Sequence, residues 1–389
     1  MSLTPEVEDL THTVTQWRRH LHQHPEILYD VHQTAEFVAT RLREFGCDEV
    51  VTGIGRTGVV GLIHGRAGSN GPTVGLRADM DALPITESSG AAWTSKIPGR
   101  MHACGHDGHT AMLLGAASQL ARQRDFNGSV AVIFQPAEEG GGGGDAMVRD
   151  GLMQRFGIER VFGMHNLPGL PVGHFAIRPG AITASTDEFR IVVTGRGGHA
   201  AMPHLIRDPI VAAAAIVTSL QTLAARQADP LDSLVVSVTQ INGGFAHNVI
   251  PETVELSGTV RSLTPAMRDL GEQGLRDIAS GIAAAHGTTA EIHYQRNYPV
   301  SINHAAETEI AGDSAAAIAG EEHLDRAVRP MMGGEDFSYM LEARPGAFIF
   351  IGNGDTAGLH HPAYDFNDDV IPWGISYWVK LAAQALAAR

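Results

Sequence analysis

Short apolar segments alternate with helical patterns along most of this 389-residue chain. Glycine or proline bounds several segments that are typical of strands, at residues 59–64, 73–77 and 129–134. Helices are predicted over residues 6–22, 32–45 and 110–122. This alternation is typical of an α/β layer built on a mainly parallel sheet, in which ligands bind at the loops after the carboxyl ends of the strands.

The order of elements changes in the middle of the chain. Strands are predicted at residues 189–194, 234–241, 253–261 and 289–294, and long helices at 209–226 and 265–286. The resulting β-α-β-β-α-β order is that of a ferredoxin-like domain. We therefore predict two domains: an α/β domain from residues 1–184 and 297–389, and an inserted α+β domain from residues 185–296.

Composition excludes several classes of protein. With 43 acidic and 28 basic residues the net charge is −15, which argues against a protein that binds nucleic acid through its phosphates. We find no apolar run of about 18 residues, as a membrane span needs, and no signal-peptide pattern. The two cysteines, Cys47 and Cys104, cannot form a disulfide framework. A cytoplasmic protein without a membrane partner is expected.

The densest group of potential metal ligands is the segment Met-His-Ala-Cys-Gly-His-Asp-Gly-His at residues 101–109. It offers one thiol and three imidazoles, from Cys104, His102, His106 and His109. Thiolate and imidazole ligands suit zinc and neighbouring divalent metals. The alternative is a helix entry in which Asp107 acts as a cap.

A second group, Gln-Pro-Ala-Glu-Glu-Gly at residues 135–140, directly follows a predicted strand. Glu138 and Glu139 repel each other, and the glycines at 140–144 cost backbone entropy, so a structural reason alone is weak. One glutamate can bind metal while the other acts as a general base. A solvated acidic turn or an acidic helix start is the alternative. A phosphate-binding loop fits poorly, since no Gly-Lys-Ser/Thr follows and carboxylates repel phosphate.

Further candidates lie in other loops and at other strand ends. Asp79 and Asp81 can be ligands, can orient a histidine ligand, or can form turns. Isolated histidines are more often polar loop residues; those considered are His165, His199, His360 and His361. Taken together, these groups supply ligands for one or two divalent ions and a base.

Several motifs occur together and in a fixed order. They are Arg-Ala-Asp-Met-Asp-Ala-Leu-Pro at 77–84, the segments at 101–109 and 135–140, Gly-Met-His at 163–165, Gly-His at 198–199, Asn-Val-Ile-Pro at 248–251, Gly-Glu-Asp-Phe at 334–337 and Leu-His at 359–360. In this set the chain closely resembles the M20 metallopeptidase family. The nearest branch holds hippurate hydrolase, aminoacylase-like enzymes and the plant amidohydrolases that cleave auxin–amino acid conjugates. The resemblance extends over residues 17–373.

The resemblance implies a centre of two divalent ions per subunit in the α/β domain. The residues that match the family's metal ligands are Cys104, His106, Glu139, His165 and His360. His360 is preferred to His361 because the histidine of this branch directly follows the leucine. Imidazole, thiolate and carboxylate together admit Zn, Mn, Co or Ni.

The resemblance also implies other roles. Glu138 matches the general base, and Asp81 matches an aspartate that supports the ligands. Asp79 stands where dizinc relatives place a histidine ligand. His199, Asn248 and Arg261 would bind the substrate carboxylate or the oxyanion.

The implied reaction is hydrolysis of an N-acyl-L-amino acid, hippurate-like or N-acetylated, to a carboxylate and a free amino acid. Water activated by the metal would attack, with Glu138 as its base. The inserted domain would act as a lid and mediate formation of a homodimer or higher homo-oligomer. A deacylase of N-acetyl- or N-succinyl-diaminopimelate, a dipeptidase, and a non-catalytic binding protein on the same scaffold are the alternatives.

Overall fold

The computed structural model describes residues 5–68 and 70–387. The helices are α1 (Pro5–Gln23), α2 (His32–Glu44), α3 (His106–Gln123), α4 (Gly143–Arg149), α5 (Leu152–Arg155), α6 (Pro209–Thr222), α7 (Pro265–Ala285), α8 (Ala305–Ala319), α9 (Ser338–Ala343) and α10 (Ile371–Ala387). A π-helical turn, Leu223–Gln227, continues α6, and short 3₁₀ segments cover Pro203–Leu205, Glu321–His323 and Asp368–Val370.

The strands are β1 (Glu49–Ile54), β2 (Gly58–His64), β3 (Thr73–Asp79), β4 (Ser129–Gln135), β5 (Ile158–Pro168), β6 (Phe175–Ala176), β7 (Gly180–Thr183), β8 (Ser185–Thr194), β9 (Gly198–His199), β10 (Leu234–Gly243), β11 (Val249–Ile250), β12 (Thr253–Ser262), β13 (Thr289–Arg296), β14 (Ser301–Asn303), β15 (Leu324–Asp325) and β16 (Gly346–Gly354). These residues divide into two compact units. The first contains the described residues up to Ile182, Ile302–Arg329 and those from Asp336 onward, and the second contains Thr183–Ser301 and Pro330–Glu335.

The first unit is built on an eight-stranded sheet in the order β1-β2-β4-β3-β5-β16-β6-β15. Its centre is parallel, since β3 pairs parallel with β4 and β5, and β16 pairs parallel with β5. This confirms the predicted α/β class with a mainly parallel sheet. Every residue of β3 and β4 is buried, as expected for central strands of a parallel sheet that is covered on both faces.

The parallel register brings three polar strand ends to one edge of the sheet. Asp79 of β3 pairs with Gln135 of β4, and Arg77 pairs with Gly163, two residues before His165 on β5. The segment after β3 leads to α3, which starts at His106 rather than at the predicted residue 110. The segment 101–109 therefore includes the first turn of this buried helix, and the helix holds the backbone of His106 and His109 in place.

The second unit is an antiparallel sheet, β10-β12-β8-β13, packed against α6 and α7. The chain order β8-α6-β10-β12-α7-β13 is β-α-β-β-α-β, and the strand order is that of a ferredoxin-like sheet. A buried ion pair ties the sheet to α7: Arg268 Nε lies 3.0 Å from Asp187 Oδ1, and the Tyr294 hydroxyl donates to Asp187 Oδ2 at 2.8 Å.

One helix of the second unit, Pro209–Gln227, is long and apolar enough to cross a membrane by length and composition, with 19 residues and a mean hydropathy of 1.3. This apolar stretch is longer than the sequence suggested. One face of it belongs to the core of the unit, through Ala212, Ala213, Ile216, Leu220 and Leu223. Of its most apolar window, 33% is buried, and a single helix of this kind does not establish a membrane span.

A buried charge network joins α1 to α3 in the first unit. Arg18 Nε lies 3.0 Å from Asp107 Oδ2, and His22 places Nδ1 2.8 Å from the same oxygen and Nε2 3.2 Å from Glu87 Oε1. Burial alone would lower the pKa of His22, but Asp107 and Glu87 outweigh it and raise that pKa to about 9. A protonated His22 therefore stabilises the folded state.

We predict that part of the folding stability is lost at alkaline pH. Because the pKa of His22 is raised from 6.5 to about 9, its contribution is fully present below pH 6.5 and is lost as the pH rises through 9. Urea unfolding of the wild type between these pH values should show a steeper fall in the free energy of unfolding than that of His22→Gln, which cannot titrate. Parallel pH dependences of the two proteins would contradict the assignment.

Candidate metal centre

Four segments of the first unit bring the five predicted ligands together. Cys104 precedes α3 and His106 begins it, Glu139 lies in the turn after β4, His165 lies in the buried part of β5, and His360 lies in the loop after β16. Cys104 Sγ is 3.4 Å from His165 Nε2, and His360 Nε2 is 3.4 Å from Glu139 Oε1. His106 Nε2 lies 3.9 Å from Glu139 Oε1 and 4.0 Å from Glu138 Oε2.

These donors form overlapping groups of three, each with donor atoms within 4.8 Å of one another. The groups are Cys104, His106 and His165; Cys104, Glu139 and His360; and His106, Glu138 and Glu139. Since residues are shared between groups, the arrangement offers two adjacent positions for a cation. Mixed thiolate, imidazole and carboxylate donors suit divalent transition metals.

Backbone carbonyls set the tautomers of the two buried histidines. His106 Nδ1 donates to the Asp81 carbonyl at 2.8 Å, and His165 Nδ1 donates to the Asn166 carbonyl at 2.7 Å. In the neutral form of each ring, Nε2 keeps a lone pair that faces the site. This is the arrangement in which a histidine binds a metal while its other nitrogen holds the ring in place.

Two buried atoms support the fit of a cation to these residues. Among the described residues, His106 Nε2 and Glu139 Oε1 have no hydrogen-bond partner, although both atoms are shielded from solvent. A buried polar atom without a hydrogen bond is costly, and a metal ion would satisfy His106 Nε2 and would add to the contact that Glu139 Oε1 makes with His360.

The buried carboxylates of the site also favour a positive charge beside them. Burial alone would lower the pKa of His106, yet Asp79, Asp81 and Glu139 outweigh it and raise that pKa to about 10. Burial, together with Glu139 and Glu138, raises the pKa of the Cys104 thiol well above its usual value. A bound cation would meet this demand and would favour the thiolate form.

Asp81 holds the turn that carries the two glutamates. Its Oδ1 accepts from the Glu138 backbone N–H at 2.9 Å, and its Oδ2 accepts from the Glu139 N–H at 3.1 Å. The preceding Ala137 has a left-handed φ of 54°, and its N–H donates to the Leu28 carbonyl at 3.1 Å. Asp81 thus fixes the backbone that carries both glutamates, and its role in the reaction stays a prediction.

Close packing explains part of the glycine run that follows. A Cβ on Gly143 would lie 1.7 Å from the Pro136 carbonyl oxygen. A Cβ on Gly144 would lie 2.6 Å from the Asp336 carbonyl oxygen. Gly144 N–H donates to Asp336 Oδ2 at 2.8 Å. The glycines therefore let α4 start directly against the segment before α9.

The histidines of the 101–109 motif have different environments. His102 is buried, its pKa is lowered by burial to about 3, and neither ring nitrogen has a hydrogen-bond partner in the described part of the chain. His109 is bonded to Asp79 and Asn166. Neither shares a donor group with Cys104, and His361 is an exposed loop residue.

A buried polar network beneath the donors was not predicted. Arg77 donates to Asp79, Gln135 and Asp336, at 2.7, 2.9 and 2.9 Å. Burial opposes ionisation of Asp79, but His106, Arg77 and His109 outweigh it and hold its pKa well below the ordinary value. The only sequence signal for Asp336 was its place in the Gly-Glu-Asp-Phe motif, which carried no assigned role.

The other predicted site residues lie in the second unit. His199 is exposed on β9, and its neighbour Ala200 donates its N–H to the Asn248 carbonyl at 3.0 Å, so His199 and Asn248 lie on adjacent segments. Arg261 lies on β12, where its Nη1 donates to the Val260 carbonyl at 3.3 Å. Their roles stay predictions.

Known proteins resemble this chain over nearly its whole length. The chain is 41% identical to the hippurate hydrolase of Campylobacter jejuni over 386 residues, covering 99% of this chain and 100% of that protein. It is 40% identical to the IAA-amino acid hydrolase ILR1-like 2 of Arabidopsis thaliana, over 99% of this chain and 87% of that protein.

A solved structure from Bacillus subtilis, described as a dinuclear metal-binding peptidase of the M20 family, matches with a TM-score of 0.86 and 34% identity. The match covers 98% of this chain and 100% of that one. The family model described as peptidase family M20/M25/M40 matches residues 75–384. The predicted resemblance is thereby confirmed, and the chain belongs to peptidase family M20/M25/M40.

Proposed function

We propose that this protein is a metal-dependent amidohydrolase that cleaves N-acyl-L-amino acids to a carboxylate and a free amino acid. The observation that carries the proposal is a base, Glu138, placed beside a cluster of metal donors, with His106 Nε2 only 4.0 Å from its carboxylate. Two similar enzymes, a hippurate hydrolase and an IAA-amino acid hydrolase, are named for N-acyl amino acids.

The proposed centre holds two divalent ions per subunit, on Cys104, His106, Glu139, His165 and His360. Zn, Mn, Co and Ni all suit this donor set. When bound, such ions polarise a carbonyl oxygen and make water more acidic.

Glu138 would take the proton of the attacking water on a carboxylate oxygen and then deliver it to the nitrogen of the leaving amine. Its side chain is 9% exposed, so the proton is held away from bulk solvent. Asp81 supports this step by fixing the backbone on which Glu138 stands. In the proposal His199 stabilises the oxyanion, and Asn248 and Arg261 bind the substrate carboxylate.

The proposal includes a homodimer or higher homo-oligomer formed through the second unit. Large apolar side chains are exposed there, among them Leu205 at 55%, Val211 at 53%, Ile241 at 57% and Phe245 at 83%. The proposal takes these exposed apolar side chains as the interface, since contiguous apolar patches are typical of interfaces. The protein is also proposed to be cytoplasmic.

We predict that Glu138→Gln loses about 100- to 10,000-fold in kcat while keeping its metal, because the amide cannot accept the proton. The matched neighbour Glu139→Gln should instead weaken metal binding. Elemental analysis and steady-state kinetics of both proteins separate the two roles. Near-normal turnover by Glu138→Gln would remove Glu138 as the base.

Asp81→Asn should disturb the turn that carries both glutamates. The asparagine oxygen can accept from one backbone N–H, but its amino group then faces the other, which leaves a buried donor unpaired at a cost of about 1–3 kcal/mol. We expect lower kcat and lower metal affinity. Asp150→Asn is a control, since Asp150 also accepts a backbone N–H, that of Gly55 at 3.0 Å, but belongs to another loop. Equal effects of the two substitutions would contradict the role of Asp81.

The substrate class is tested by amino acid release from a panel assayed with Mn²⁺ or Zn²⁺ and again with chelator. N-benzoylglycine, N-acetylmethionine, an indole-acetyl amino acid, N-acetyl-diaminopimelate and a dipeptide distinguish the proposed function from its alternatives. We expect chelator-sensitive release from at least one N-acyl monoamino acid. Release from the dipeptide or the diaminopimelate derivative alone would favour the corresponding alternative.

A further inference from the structure

His109 lies one helical turn after His106 on α3 and is 2% exposed. Its ring meets that of His165 edge-on at a centroid distance of 4.5 Å, and the ring of His106 is 5.5 Å away. Together with Asp79 and His106 it forms a group whose donor atoms lie within 4.8 Å of one another. By position alone, His109 could be a further ligand or a support for the histidines on either side.

The hydrogen bonds of His109 decide between these roles. Nδ1 lies 2.7 Å from Asp79 Oδ1, and because a carboxylate only accepts, Nδ1 donates. Nε2 lies 3.0 Å from the Asn166 backbone nitrogen and 2.8 Å from Asn166 Oδ1. A neutral ring accepts from the backbone N–H and a charged ring donates to Oδ1, so Asn166 occupies Nε2 in either case. Neither nitrogen is left for a cation.

Both partners of His109 are themselves anchored. Asp79 Oδ2 accepts from Arg77 Nη1 at 2.7 Å, and Arg77 is bonded in turn to Gln135 and Asp336. Asn166 Nδ2 donates to the hydroxyl of the buried Tyr364 at 2.5 Å. The chain of bonds therefore runs from the ends of β3 and β4, through α3, to the end of β5.

We propose that His109 is a positioning residue that sets the separation between His106 and His165. His109 lies on α3 together with His106. It is also hydrogen-bonded to Asn166, which directly follows His165 in the chain. The inference rests on the proposed function, because it takes His106 and His165 as ligands. The loss of such a supporting bond typically weakens metal affinity by about 10- to 100-fold.

Two substitutions distinguish the hydrogen bond of His109 to Asp79 from its contact with Asn166. His109→Phe keeps a ring of similar volume and removes both hydrogen bonds. His109→Asn places an amide near the position of Nδ1, so that the bond to Asp79 is kept while Asn166 is out of reach. His304→Gln is a matched control, because His304 is a half-buried histidine of the same unit whose Nδ1 accepts from Gly346 N–H at 3.1 Å, at the amino end of β16.

The test is a titration of the metal-free full-length proteins with Co²⁺, followed by absorption and by competition with a chelator. Wild type and control should bind two equivalents with the same spectrum. His109→Phe should also reach two equivalents at saturation, but with one ion bound about 10- to 100-fold more weakly, a changed cobalt spectrum, and a lower kcat at nearly unchanged KM. His109→Asn should fall between them.

Three outcomes overturn the proposal. Loss of one equivalent at saturating Co²⁺ in His109→Phe would make His109 a ligand. A lower melting temperature of the metal-free variant, with cobalt affinity and spectrum unchanged, would leave it a merely structural role. Absence of cobalt binding by the wild type would overturn the metal centre itself, and the positioning role with it.

Discussion

Several carboxylates are buried together at one edge of a parallel sheet, and the rest of the site follows from this constraint. Asp79 is 0%, Asp81 is 1% and Glu138 is 7% exposed, and the Glu139 side chain is 10% exposed. Like charges in a poorly solvated place repel strongly unless each is paired. The fold meets the requirement in two ways: some of these groups are paired with protein donors, and Glu139 faces the imidazoles of His106 and His360.

The division of roles follows from which donors reach each carboxylate. Asp81 is bonded to two backbone N–H groups, and Asp79 is bonded to Arg77 and His109. Glu139 Oε1 is left without a hydrogen-bond partner among the described residues, and it lies 3.4 Å from His360 Nε2. Asp79 is therefore paired with donors of the protein itself, whereas Glu139 Oε1 faces His360.

The sequence predicted the architecture and two clusters of candidate donors because both leave local signals, whereas His165 and His360 were selected only by the family resemblance. Strand–helix alternation, the β-α-β-β-α-β order and the clustered ligands at residues 101–109 and 135–140 can be read over short windows. The start of α3 at His106 was missed because Gly105 and Gly108 weaken the helical pattern. The different environments of His102, His106 and His109 could not be predicted either, since the groups around them come from distant parts of the chain. Arg77 and Asp336 each lie in a motif, but the bond between them spans 259 positions and leaves no local pattern.

Backbone strain lies at the two segments that carry Glu139 and His360. Ala137, two residues before Glu139, and His360 itself have left-handed φ values of 54° and 63°, which cost a residue with a Cβ about 1–3 kcal/mol each. Each is held by a backbone hydrogen bond from its own N–H, to Leu28 O at 3.1 Å and to Ala103 O at 2.8 Å. An unstrained backbone at Ala137 would turn the Glu139 carboxylate away from His360. An unstrained backbone at His360 would turn its imidazole away from Glu139. The strain thus gives the 3.4 Å approach of Glu139 to His360 a physical reason, since it is sustained by packing before any cation contributes binding energy.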